Sequence, residues 1–265
     1  MPSPTQTRTS PNLADTLNTL GLRYTAQELP DLVARATRSR WSPTQLLEEL
    51  ARAESQDRAR RSVERRLQRA HLGRFKPMAD FDWNWPKSID RDAVERSLTL
   101  TFLDRCENVI LVASQGLGKT MIAKNIAHAA ALAGKYALFV TASELLLNLN
   151  KQETARTLEA RLNFFAQPHL LVIDELGYLS YDNRAADLLF QIVSRRYERR
   201  SLILTTNLAF ADWNTVFPNA ACATALIDRL THHAEIIPIK GDSYRRREAE
   251  LARKARLSSA PDVQK

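Results

Sequence analysis

The run Val109-Ile110-Leu111-Val112-Ala113-Ser114-Gln115-Gly116-Leu117-Gly118-Lys119-Thr120 decides the fold class. Four apolar residues make a short buried strand, and a turn with two of the chain's seven glycines follows. Lys119 and Thr120 then lead into a helix from Met121 onward. A strand, a glycine turn and a helix in this order wrap backbone N–H groups around a chain of phosphates. Glycine lets the backbone approach without a Cβ in the way. The expected phosphate contacts are Ser114, Gln115, Gly116, Leu117, Gly118, Lys119 and Thr120. Lys119 would act as a point charge near the β- and γ-phosphates, Thr120 would offer its hydroxyl to Mg²⁺, and the helix N-terminus would favour the anion. The pattern G-x-x-x-x-G-K-[ST] has Ala113 at its first glycine, a strand-exit position where an extended φ suffices.

Further apolar runs at 136–140, 170–173, 202–206 and 235–239 join 109–112 as strand candidates, with helical patterns between them. This alternation predicts a doubly wound parallel sheet, whose ligands bind at the carboxyl ends of the strands. Chemistry-bearing residues collect at those ends. Asp174 closes one strand as a hard oxygen ligand suited to the Mg²⁺ hydration shell, and Glu175 beside it suits polarisation of an attacking water. Asn207 ends the next strand and can both donate and accept, which suits a bridge from γ-phosphate to water; the competing reading is a turn former. Arg229 is a candidate to stabilise charge on the γ-phosphate of a neighbouring subunit, and Arg245 to reach the phosphates from a C-terminal helix. His232 and His233 are read as structural, because adjacent residues on a helix point about 100° apart.

The chain has 265 residues, 44% hydrophobic composition and a net charge of +8. That supports one substantial domain with a smaller one, and a polyanionic partner. Residues 1–11 read as disordered, 12–74 as an Arg-rich helical domain, 75–90 as a linker, 91–250 as the nucleotide domain and 251–265 as a basic flexible tail. Ser42-Pro43-Thr44-Gln45 is a capping box with proline at the first helical position. The arginines after it, Arg58, Arg61 and Arg65 among them, form either a solvated face partly paired by Asp57 and Glu64 or a phosphate-contacting helix. In the linker, the rings of 81–86 either pack on the neighbouring domain or wall a base pocket. The segment 142–168 is long for one crossover and predicts two helices, at 145–149 after the Thr141–Glu144 capping box and at 154–165. Its Lys151, Arg156 and Arg161 are either nucleic-acid contacts or ordinary surface charge. Cys106 and Cys222 have no metal-ligand spacing and read as reduced thiols. No apolar run approaches membrane-spanning length, and with reduced thiols a cytoplasmic location is expected.

The blocks 171–178, 196–201, Thr205-Thr206-Asn207, Asp228-Arg229-Leu230 and Gly241-x-Ser243-Tyr244-Arg245 resemble the IstB-like AAA+ ATPases, transposition helpers of insertion sequences that are similar to the DnaC helicase loaders. The resemblance spans roughly residues 75–250, with a looser match in the Arg-rich N-terminal part. It implies a five-stranded αβα AAA+ P-loop domain with a short helical lid, and an additional helix after the second strand that lies near DNA in related loaders. It implies ATP and Mg²⁺ as cofactors, with Arg229 as a finger acting in trans and Arg245 as a second sensor. It also implies ATP-dependent homo-oligomer assembly on double-stranded DNA, largely independent of sequence, and delivery of that DNA to a transposase subunit. Hydrolysis would control disassembly. A replicative helicase loader and a non-hydrolysing nucleotide-gated DNA scaffold are the alternatives.

Overall fold

Each of the five apolar runs forms a strand in the computed structural model, which describes residues 12–178, 180–218 and 220–258. The strands are β1 Asn108–Ala113, β2 Ala137–Thr141, β3 Leu170–Leu176, β4 Ser201–Thr206 and β5 Ala234–Ile239. All pair in parallel, in the order β2-β3-β4-β1-β5. Helices join them: α6 Lys119–Leu132, α7 Ala142–Asn150, α8 Ala155–Ala166, α9 Asn183–Arg196 and α10 Ala220–Thr231. Side chains alternate across each strand, so the sheet separates two cores. Ile110, Ile173, Leu202 and Leu204 face α7 to α10 on one side. Val109, Leu111, Val172 and Ile203 face α6 and α4 (Arg91–Leu98) on the other. In β1 to β4, burial on both faces explains why the strands read as continuous apolar runs rather than alternating ones, while the edge strand β5 is partly exposed.

The local signals hold where they were specific. Thr141 and Glu144 form a reciprocal capping box at the start of α7, and Thr154 caps α8. The 142–168 insertion is therefore two helices. The expected helical lid is the single helix α11, Tyr244–Ser258. It runs through residues 251–258, where the basic sequence predicts a flexible tail. Residues 1–11 and 259–265 lie outside the described residues.

The chain divides into Met1–Arg65 and Arg66–Lys265. The expected boundary at residue 74 is too late. Ala70 and Leu72 are buried in the core of the second unit, and the Phe139 N–H donates to the Ala70 carbonyl at 2.9 Å.

The first unit contains α1 Leu13–Thr19, α2 Arg23–Arg38 and most of α3 Pro43–Arg69. Ser42 and Gln45 make the anticipated reciprocal cap, with the Ser42 N–H on the Gln45 side chain at 2.8 Å. Its interior is small and partly ionic. Glu54 and Asp57 are buried beside Thr25, Ala26 and Leu32. Glu54 accepts from the Thr25 N–H at 3.0 Å and from Arg58 and Arg61 at 3.3 Å each. Burial opposes its ionisation, but Thr25 and Arg58 outweigh that and hold its pKa below the usual carboxylate value.

Candidate functional site

The phosphate turn lies at the carboxyl end of β1. Gly116 and Gly118 adopt φ of +79° and +88°, in the left-handed region that strains other residues. Neither position has room for a Cβ. One on Gly116 would lie 2.1 Å from Ser243 Oγ, and one on Gly118 would lie 2.6 Å from Phe81. Ala113 does not have a positive φ, so alanine is as good as glycine there. Its carbonyl does the necessary work, accepting from Lys119 Nζ at 2.6 Å, with the Ser114 carbonyl at 2.9 Å.

Lys119 is 6% exposed, and these hydrogen-bond partners are neutral. Burial pushes its pKa down to about 8; Arg245 adds to the fall, while Asp174 and Glu175 oppose it. A buried ammonium bonded to carbonyls is a cation in want of an anion.

The acidic strand end completes the crevice. Asp174 is 3% exposed and accepts from Thr120 Oγ1 at 2.9 Å and 3.2 Å, and also from Thr205 Oγ1. The register of β3 against β4 shifts between Ile173 and Leu176, so one extra residue is inserted there. Glu175 takes φ +62° within this bulge, and its N–H donates to Thr205 Oγ1 at 2.9 Å. The bulge turns Glu175 outward, onto the crevice wall, while Asp174 stays buried. Strained backbone at an acidic strand end is a feature of catalytic sites.

A cavity of about 290 Å³ opens over this machinery. Gly116 to Thr120, Glu175, Thr205 and Arg245 line its polar side, and Phe75, Phe81, Trp85 and Tyr244 its aromatic side. Two segments far apart in sequence hold the aromatic wall together. Trp85 Nε1 donates to the Asp242 carbonyl at 2.8 Å, Arg247 pairs with Asp82 at 3.1 Å, and Lys76 pairs with Glu248 at 3.0 Å. The Tyr244 N–H donates to the Gly116 carbonyl at 2.9 Å, tying α11 to the phosphate turn. The linker rings divide: Phe81 and Trp85 wall the cavity, while Trp83 packs on the core under Arg91.

The residues fit a nucleoside triphosphate with Mg²⁺. The glycine cradle and buried Lys119 suit the phosphates, and Thr120 with Asp174 gives the hard oxygen donors Mg²⁺ requires. Thr205, which touches Asp174 and Glu175 together, was passed over in the sequence in favour of Asn207. The available signal was a threonine at a strand position buried on both faces. Asn207 does not line the cavity, and its buried Oδ1 has no partner among the described residues. Ser114 and Gln115 are exposed and outside the lining, so the inner half of the turn makes the pocket. Arg229 also lies outside its own chain's cavity: it donates to Ser194 Oγ at 2.7 Å and stacks over Phe190 at 4.2 Å.

The six basic candidates for nucleic-acid contact divide by their partners. Arg58 is bonded to Glu54 and the Gly21 carbonyl, and Arg61 to Asp57 and Glu54. Arg161 donates to Asn148 at 2.7 Å and stacks on Phe164 and Phe165. Lys151, Arg156 and Arg65 are exposed and have no ion pair among the described residues.

Comparison with known proteins agrees with the geometry. The family described as IstB-like ATP binding protein matches residues 15–252. A relative from Geobacillus stearothermophilus, described as an ATP-binding protein of insertion sequence IS5376, is 37% identical over 210 residues, covering 79% of this chain and 84% of its own. The corresponding protein of insertion sequence IS21 from Pseudomonas aeruginosa is 35% identical over 236 residues, covering 89% of each. Among solved structures, DnaI superposes with a TM-score of 0.52 at 21% identity, over 65% of this chain and 91% of its own. DnaA bound to AMPPCP and single-stranded DNA gives 0.51 at 16%, over 69% and 59%. These two share the AAA+ P-loop fold.

Proposed function

The chain belongs to the IstB-like ATP-binding proteins, and on that premise we propose that it is an ATP-dependent, DNA-binding regulator of transposition. It assembles on target duplex and delivers it to a transposase, and ATP hydrolysis governs release. One observation carries the enzymatic part: Thr120, Asp174, Thr205 and Glu175 form a single hydrogen-bonded set beneath the phosphate turn. The relatives' descriptions as insertion-sequence proteins support the setting.

In this reading Lys119 and the turn amides hold the β- and γ-phosphates. Thr120 and Asp174 hold Mg²⁺, which when bound neutralises charge on the β- and γ-phosphate oxygens. Glu175 accepts a proton from the attacking water, and Thr205 fixes the bulge that aims it. Phe81, Trp85 and Tyr244 enclose the base. Arg229, directed away from its own crevice, completes a neighbour's site, which makes turnover depend on assembly. Nucleotide then drives assembly through its greater affinity for the assembled state. Lys151, Arg156 and Arg65 make phosphate contacts on duplex DNA, so affinity falls with salt. Ala113 has no positive φ, which supports a working turn over a non-hydrolysing scaffold.

Glu175→Gln tests the assignment. The variant should bind ATP normally, release phosphate at least about a hundredfold more slowly, and stay on duplex DNA. Undiminished phosphate release would remove Glu175 from its role.

A further inference from the structure

The two adjacent histidines do not sit on a helix. Helix α10 ends at Thr231, and His232 and His233 occupy the turn before β5. The 100° divergence expected of helical neighbours therefore does not apply. Their rings lie 4.0 Å apart, and Glu198, from the turn after α9, meets them both. Glu198 Oε1 is 3.5 Å from His233 Nε2 and 3.9 Å from His232 Nδ1. One ligand atom from each of the three side chains lies within 4.8 Å of the others.

Two further features mark the cluster as built. Glu198 holds φ +55° in the turn after α9, and its carboxylate lies beside His233. Tyr197 packs against His232, with its hydroxyl 2.7 Å from Nδ1. That nitrogen is also the one that faces Glu198, so a cation taken up there displaces the hydroxyl.

We infer that Glu198, His232 and His233 form a binding site for a divalent transition-metal cation of the Zn²⁺ class, separate from the Mg²⁺ position at Thr120 and Asp174. Two imidazoles and one carboxylate are borderline ligands that suit Zn²⁺ and disfavour Mg²⁺. Bond lengths of about 2.0–2.2 Å set ligand edges near ~3.3 Å, which these half-exposed side chains reach by small rotamer changes. The fourth position stays open to water.

The site links the turn after α9 to the turn after α10. Those helices carry Ser194 and Phe190 on one side and Arg229 on the other, the set that holds the Arg229 guanidinium. A bound cation would brace the ends of both helices three residues from Arg229, without touching the nucleotide cavity, whose lining shares none of these residues.

The test is isothermal titration of untagged, nucleotide-free protein with Zn²⁺ in excess Mg²⁺, and with Co²⁺ as an optical probe. Binding should be saturable with one cation per chain, and Co²⁺ should give visible bands without the near-ultraviolet charge transfer that thiolates produce. Glu198→Gln, His232→Ala and His233→Ala should each weaken binding at least about tenfold. None should change ATP affinity, which also verifies that the variants fold. Absence of saturable Zn²⁺ binding overturns the assignment. So does undiminished binding in the variant with both histidines replaced, or a thiolate band placing the metal on Cys106 or Cys222.

Discussion

Binding of a triphosphate should take up a proton at alkaline pH, and the proton should go to Lys119. Its ammonium is buried against two carbonyls, and burial lowers its pKa from 10.5 to about 8. Phosphate oxygens beside it restore the ordinary value or exceed it. With a pKa of about 8, roughly nine-tenths of free protein has a neutral Lys119 at pH 9, so binding takes up about 0.9 proton per nucleotide. At pH 7 the figure is about 0.1. Between about pH 8 and 10 the apparent Kd should weaken by roughly tenfold per unit. Calorimetric titration with a non-hydrolysable ATP analogue, in two buffers of widely different ionisation enthalpy, reads the uptake directly. Lys119→Arg keeps its charge throughout and should take up none. A proton uptake near zero at pH 9, or equal uptake in the arginine variant, would refute the assignment of a desolvated lysine at the phosphates. The linkage has a matching sign in the free protein. A lysine with a depressed folded-state pKa disfavours the fold below about pH 8, and that cost is relieved as pH rises toward 10.5.

Gly118→Ala should destabilise the protein by about 1–3 kcal/mol in denaturant titrations, from positive φ alone. Adding Phe81→Ala should recover only the part due to collision, because the backbone strain stays. Arg196 is fully buried and donates to the carbonyls of Phe165, Ala166, Pro168 and Ser201, so Arg196→Met removes four buried hydrogen bonds. A loss of about 3 kcal/mol or more follows, lowering Tm by roughly 6–12 °C. Glu54 should make the first unit acid-sensitive. Its folded-state pKa is lowered, so its contribution is complete above about pH 4.5 and is lost as pH falls through the folded value. Glu54→Gln should flatten the melting profile in that range.

The residues legible in the sequence are those whose roles are set locally. The phosphate turn, the two capping boxes and the acidic strand end each occupy consecutive or near-consecutive positions, and their geometry follows from a few backbone angles. Strand number and direction were legible because burial on both faces leaves uninterrupted apolar runs in β1 to β4, and β5 keeps a short apolar run at the sheet edge. Thr205 was not legible, because its importance comes from a bulge in β3 on the neighbouring strand. The aromatic wall depends on pairing between residues about 160 apart, such as Arg247 with Asp82, which no local pattern encodes. Arg58 and Arg61 were half legible. Their spacing from Glu54 and Asp57 is that of helical neighbours, but burial of those carboxylates comes from packing against α2. The sequence places the histidine pair on a helix, but α10 ends at Thr231, two residues short of His233.

The central claim is that the triphosphate in this crevice governs assembly on duplex DNA. Sedimentation velocity of the purified chain with a short duplex, in Mg²⁺ with ATP, with ADP or with no nucleotide, measures this directly. A fast-sedimenting protein–DNA species should form with ATP alone and be missing for Lys119→Met. Equal sedimentation in all three states, or assembly by the Lys119→Met variant at wild-type levels, would contradict it.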